Sequence, residues 1–238
     1  MNRQSNTYTI IYAIILVVVV GVALSVVYQG LRPQQLENIS NDTKRQILAA
    51  ALITPQEGES VSDLYAKHIR ASYIVNSKGE KASKSVDPFD VNVSAEVKKP
   101  AEERLLPVFE CETTQGVKYI VPVYGAGLWG PIWGYIAMDA DGNSIYGAYF
   151  AHQGETPGLG AEIEKEAFSG QFAKKTLFNE GGEFTSVKVV KRGQEPADGS
   201  WVHAISGGTI TSQGVQKMLE NSLAPYSAYF KGLNETKE

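Results

Sequence analysis

The chain has 238 residues with 22 basic and 26 acidic side chains, three histidines and one cysteine, for a formal charge of −4. That length allows one or two domains with a sizeable core, and the acidic balance excludes nucleic acid, which needs a basic face to bind. Cys111 has no second cysteine to pair with, and His68, His152 and His203 are far apart in sequence, so neither a disulfide framework nor a metal centre is expected.

Charge is absent from residues 4–28. Thr9 to Tyr28 reads TIIYAIILVVVVGVALSVVY, twenty residues in which Thr9 and Ser25 are the only strongly polar side chains. A helix of that length covers roughly 30 Å, the hydrocarbon thickness of a bilayer. Three readings compete. A cleaved signal peptide would use Ala23-Leu24-Ser25, yet the apolar run continues through Val26, Val27 and Tyr28 and only Arg3 precedes it. A buried core helix with no polar face fits such a run less well. The favoured reading is an uncleaved membrane anchor over 9–28 behind a short tail, residues 1–8. Arg3 on one side and Arg32, Lys44 and Arg45 on the other leave orientation open. Past Tyr28 there are 21 basic and 26 acidic residues, and a net charge of −5 does not suit adhesion to anionic lipid.

Pro33 is expected to end the spanning region. Leu36, Ile39, Ile47, Leu48, Ala51 and Leu52 then recur at near-helical spacing, with Asn41, Asp42 and Thr43 as N-caps and a stop at Thr54-Pro55. Residues 76–107 are rich in Lys, Ser, Glu and Pro; they read as strand fragments and loops, a lid or small subdomain joining this stalk, 29–117, to a domain at 118–238. Strands are predicted over 118–124, 132–138 and 145–151 from β-branched and aromatic residues between glycines. Asp139-Ala140-Asp141-Gly142-Asn143 is a hairpin turn rather than a calcium loop, because its glycine comes fourth and not sixth. A helix over 161–172 groups Ile163, Ala167, Phe168 and Phe172, leaving Glu162, Glu164, Glu166 and Lys165 as a solvated face in preference to an acid–base pair. Strands over 185–190 and 201–205 and a last helix from Thr211 to Leu223, closed by Pro225, complete an α+β fold: a mainly antiparallel sheet with packed helices.

Two glycine clusters each lie between a strand and a helix. Gly154-Glu155-Thr156-Pro157-Gly158-Leu159-Gly160 lacks the Gly-Lys-Ser/Thr of a P-loop, and Ile163 stands where a dinucleotide fingerprint needs its third glycine. What remains is a Pro-Gly turn, either an anion nest or a plain connector. Ser206-Gly207-Gly208-Thr209-Ile210-Thr211-Ser212 puts paired glycines and hydroxyls where helix N–H groups are unpaired. It is either a phosphate site at a helix N-terminus or an ordinary N-cap.

Ser206 to Ser212 closely resembles the Ser-Gly-Ala-Thr-x-Thr motif at which flavin mononucleotide is joined to threonine, and Gly154 to Gly160 resembles the second signature of the same FMN-binding domain. With Gly127-Leu128-Trp129-Gly130 and one N-terminal anchor, the chain resembles the NqrC family, the C subunits of the sodium-translocating NADH:quinone oxidoreductases. The G subunit of Rnf-type complexes, working between ferredoxin and NAD, shares both motifs. Gly208 replaces the usual alanine, and His203 stands where an aspartate is common in the attachment signal.

The resemblance implies covalent FMN, held by a phosphoester on Thr209, with Ser206, Gly207, Gly208, Thr211 and Ser212 about the phosphate. It implies that Glu155, Thr156, Gly158 and Leu159 lie along the ribityl chain or ring, with Trp129 nearby or serving as core filler. No residue of the chain is catalytic alone. The implied setting is a complex of six subunits in the bacterial inner membrane, with the domain on the periplasmic side and a flavin transferase for maturation. Electrons would pass through the FMN toward quinone, coupled in the complex to Na+ export. Set against this is a cofactor-free anchored assembly protein in which both clusters are plain turns.

Overall fold

The computed structural model describes residues 6–82 and 86–235, so Arg3 and most of the expected tail lie outside the described residues. Residues 1–43 and 44–238 form two units. The described part of the first is wholly helical and belongs to α1, Asn6–Ala50. Every large apolar side chain from Ile10 to Tyr28 is exposed, and the helix is long and apolar enough to cross a bilayer. Such a surface is stable only in lipid or against another protein.

The helix does not end at Pro33, nor restart at Asn41. A proline forfeits one hydrogen bond and strains the turn before it, a cost of about 3 kcal/mol that a long helix absorbs. Thr43 does not cap: its hydroxyl donates back to the Ile39 carbonyl at 3.0 Å. Leu36 and Ile39 remain exposed, whereas Ile47, Leu48 and Ala51 are buried. The helix stops ahead of Thr54-Pro55. Ile53 N–H donates to Leu48 O (3.0 Å) and Leu52 N–H to Ala49 O (2.9 Å), with Leu52 in the left-handed region at φ 61°. That is a Schellman ending built without glycine.

In the second unit α2 (Val61–His68) runs directly into β1 (Ile69–Val75). The described part of 76–105 contains short helical turns at Pro88–Asp90 and Ala101–Glu103 and α3 (Val93–Glu96), with one isolated bridge at Lys81 in place of the expected strand fragments. It is no lid. Arg104 is 9 % exposed and donates to the carbonyls of Val97, Lys99 and Asn221, fixing the segment to the last long helix.

Strands β2 (Leu106–Thr113), β3 (Gly116–Ala126), β4 (Pro131–Met138) and β5 (Ile145–His152) join β1 in an antiparallel sheet of order β1-β2-β3-β4-β5. The expected change of character at Lys118 therefore falls inside β3, with β1 and β2 belonging to the same sheet. Period-two alternation divides the sheet into two faces. The pair Val121 and Ile136 enters the larger core with Phe150, while Ile120 and Ala137 enter the smaller one with Ile47, Ala50 and Phe109. At the β4–β5 turn, Asp141 accepts from the N–H groups of Asn143 and Ser144 at 2.8 Å. Gly142 takes φ 65°, as a hairpin requires.

The helix predicted over 161–172 is broken into Gly160–Glu164, α4 (Glu166–Ser169) and Gly170–Phe172. Lys165 is extended at ψ 145°, a break that aims Ile163, Phe168 and Phe172 all inward and leaves Ala167 exposed. The pair β6 (Val187–Val190) and β7 (Ser200–His203) is parallel and stands outside the main sheet. Helix α5 (Thr209–Leu223) begins two residues before the expected Thr211 and packs on β3 through Val215, Met218 and Leu219. Pro225 does not close the chain's helices but sits in the first turn of a further short one, Ala224–Tyr226, where a missing N–H costs nothing; α6 (Ser227–Glu235) follows.

Candidate functional site

Both glycine clusters meet at the start of α5, and the side chain that joins them is Glu155, 5 % exposed. Its carboxylate accepts from Thr211 Oγ1–H at 2.6 Å and from the Trp129 backbone N–H at 2.8 Å, while its own N–H donates to His152 Nδ1 at 3.2 Å. The β3–β4 connection, the segment after β5 and the first turn of α5 are thus tied to one carboxylate. A Cβ on Gly160 would collide with that carboxylate and the Thr211 hydroxyl, so the site needs glycine there.

Other side chains fall into two groups. Thr211 and Ser212 are each 1 % exposed. Thr211 is committed to Glu155, and Ser212 Oγ accepts from Ile205 N–H at 3.0 Å, so both hold the turn rather than face outward. In the first cluster the N–H of Gly158 donates to Glu162 Oε1 (3.1 Å) and that of Leu159 to Thr156 O (3.1 Å), which occupies the donors an anion nest would need. The second group faces outward. Ser206, Gly207, Thr156 and Gly158 are exposed, and Trp129 at 69 % exposure is no core filler. Leu159, with Leu128 and Ile210, which sequence reasoning passes over, adds exposed apolar surface. Ile210 could be found from α5 itself, since Thr211, Ser212 and Val215 take the buried face.

Helix α5 starts without a side-chain cap: Gly208 holds the N-cap position and no side chain accepts from the first N–H groups. Gly207 takes φ +74°, a backbone conformation that favours glycine. Thr209 is therefore the first residue of an uncapped helix, with the positive end of the dipole behind its hydroxyl. Beside it opens a cleft of about 850 Å³, lined by Ser206, Gly207 and Thr209, by the apolar Phe168 and Ile205, and by Lys165, Lys191 and Arg192. His203 borders this cleft; its Nδ1 is buried without a hydrogen-bond partner, 3.7 Å from Glu195. Among the described residues no group of three or more potential metal ligands occurs.

A phosphate-bearing aromatic group fits this arrangement, because an uncapped helix end, a cationic cleft of ligand size and exposed apolar side chains adjoin one another. The class these features define is that of the FMN-binding domain, whose family profile matches residues 127–224. The C subunit of the Na(+)-translocating NADH-quinone reductase of Vibrio anguillarum is 32 % identical over 230 residues, 90 % of this chain and 89 % of that protein. The crystal structure of the corresponding protein from Parabacteroides distasonis is 45 % identical, superposes with a TM-score of 0.77, and is matched over 84 % of this chain and 96 % of that one. Shewanella oneidensis NqrC, 27 % identical, gives 0.67 over 82 % and 98 %. The chain belongs to the NqrC family, the C subunits of the Na(+)-translocating NADH-quinone reductases, and so is one part of a multi-subunit oxidoreductase.

Proposed function

We propose that the chain carries FMN as a phosphoester on Thr209 Oγ1 and relays electrons within a sodium-translocating NADH:quinone reductase of six subunits. There the transfer is coupled to quinone reduction and Na+ export. The observation that carries the reading is the position of Thr209 beside the cleft, first in an uncapped helix and directly after two glycines. An anion there gains the helix dipole and unpaired N–H groups together. Among the described residues no side chain is hydrogen-bonded to the Thr209 hydroxyl. An unactivated threonine is a poor nucleophile, which supports attachment by a separate flavin transferase.

Bound FMN supplies reversible electron uptake, and the fold supplies position and solvent access. Glu155 holds the α5 turn and the Trp129 loop in one arrangement, and the exposed faces of Trp129 and Leu159 exclude water from a planar ring. The anchor keeps the domain at the bacterial inner membrane on the periplasmic side, where a covalent tether prevents loss of the cofactor. Residues 9–28 carry no Asp, Glu, Lys, Arg or His, so the sodium path belongs to other parts of the assembly.

The test is to express the full chain with and without a flavin transferase and examine it after denaturation. Flavin fluorescence on the gel and a mass increase of FMN less water are expected only with the transferase, and neither in Thr209→Val. An unmodified wild-type chain overturns the reading; a modified Thr209→Val chain overturns the site.

A further inference from the structure

Three cations line the cleft that Thr209 borders: Lys165 beside α4, and Lys191 and Arg192 from the β6–β7 connection. Among the described residues none of the three forms an ion pair; the ion pairs of the domain include Arg70–Glu110, Lys99–Glu96 and Lys118–Asp139, with His152 and His203 facing Glu164 and Glu195. One carboxylate, Glu162, lines the cleft, and it already accepts from the Gly158 N–H. Like charges gathered in a concave surface repel one another, and the focused field favours an anion. Two lysines elsewhere in the domain show the contrast: Lys118 bonds to Asp139 at 2.6 Å, and Lys81 stacks on Tyr73 at 3.8 Å.

We infer that Lys191 and Arg192, with Lys165, form the phosphate-recognition side of the flavin site and hold the anionic end of FMN against Thr209. The inference rests on Thr209 being the flavin's attachment point. The connection from Lys191 to Gly199 thereby has a role beyond linking two parallel strands: it brings a guanidinium and an ammonium to the same cleft as the turn Ser206-Gly207. A guanidinium offers a planar pair of N–H donors suited to phosphate, and an ammonium acts as a mobile point charge. The apolar side of the site, at Trp129 and Leu159, supplies no such charge. Phosphate recognition and ring contact therefore reside in separate parts of the chain.

The separation is testable without activity. Full-length protein produced without transferase, in detergent, is titrated with FMN and with riboflavin, which differ only in the phosphate, at low and high salt. The unmodified chain is expected to bind FMN at least about tenfold more tightly than riboflavin, with the advantage shrinking as salt rises. Lys191→Gln/Arg192→Gln is expected to lose most of that advantage while binding riboflavin as before, and Lys191→Arg is expected to keep it. Equal binding of the two flavins by the unmodified chain overturns the inference. So does an FMN preference that survives the double change, or no saturable FMN binding at all. Attachment is scored separately by mass. FMN attached at Thr209 with a preference indifferent to the double change defeats this inference alone. A charge-dependent FMN preference without attachment at Thr209 defeats the reading of function and leaves the anion site.

Discussion

Removing the Glu155 carboxylate tests whether one buried side chain holds the site together. Two donors converge on it, the fully buried Thr211 hydroxyl at 2.6 Å and the Trp129 N–H at 2.8 Å. In Glu155→Ala both lose their acceptor. A buried unsatisfied group costs about 1–3 kcal/mol, which is the expected loss for the Thr211 hydroxyl, while the N–H of the exposed Trp129 can turn to water and adds less; that is a sizeable part of the ~5–15 kcal/mol that stabilises a domain. Glu155→Gln keeps one acceptor oxygen for the Trp129 N–H and can turn its NH2 to the Thr211 hydroxyl oxygen, which accepts, so its loss is smaller, about 1 kcal/mol. Thr211 is the third residue of α5, so the change also removes a negative charge from the positive end of the helix, worth about 0.3–1 kcal/mol. The assay is urea unfolding of the full chain in detergent, followed by tryptophan fluorescence. In Thr211→Val the Glu155→Ala change should cost less than in wild type, because the hydroxyl that would be left unsatisfied is gone. A Glu155→Ala protein within about 0.5 kcal/mol of wild type would refute this convergence, since that is the range of substitutions away from such contacts.

In the same assay Leu52→Gly should stabilise the domain by about 1 kcal/mol, because Leu52 holds the left-handed Schellman position at φ 61° with its side chain 62 % exposed; a loss would show that its contact with Gly147 outweighs the strain. Burial pushes the Cys111 thiol up to about 11, so a thiol reagent at pH 8 should modify it only as fast as the domain opens, and rapid modification under native conditions would contradict the burial. Burial acts to raise the Glu96 carboxyl, but its bonds to Lys99 and the Leu105 N–H and the charge of Arg104 outweigh this and hold it below the ordinary 4.5. A depressed folded value means stability that is present above pH 4.5 and is lost as the pH falls through the lower folded value. Glu96→Gln should therefore lower the urea midpoint at neutral pH and flatten its decline in acid, and parallel acid limbs would count against the assignment.

Strands β3, β4 and β5 are legible in the sequence because they carry their own punctuation: β-branched runs bounded by Gly125–Gly130 and Asp139–Asn143. Strands β1 and β2 are not. The turns between them, 76–105, have no apolar period, and their pairing depends on contacts such as Tyr73 with Glu110 and Tyr229, far apart in the chain. The unbroken α1 escapes sequence reasoning for a related reason. Pro33 and the polar run Asn41-Asp42-Thr43 are local stop and start signals, and local signals yield where a helix continues on both sides with its remaining bonds intact. At 161–172 the reverse holds: a helical period is present, yet core packing splits it at Lys165 so that three aromatic and aliphatic side chains share one core.

For the site, the motifs bring the two glycine clusters to one turn, but they do not tell buried hydroxyls from exposed ones. The resemblance singles out Thr209 for the phosphoester and sets Thr211 and Ser212 beside it as donors. The helical repeat separates them, because the face that buries Val215 and Met218 also buries Thr211 and Ser212, leaving Thr209 at the cleft. Gly208 permits this division: a serine or threonine side chain in its place would accept from the first N–H groups of α5 and remove the donors that an anion needs. Glu155 is a similar case. The resemblance sets it along the ribityl chain or ring, and in the fold two donors from other segments, the Thr211 hydroxyl and the Trp129 N–H, bond to its two oxygens and join the segments that frame the turn.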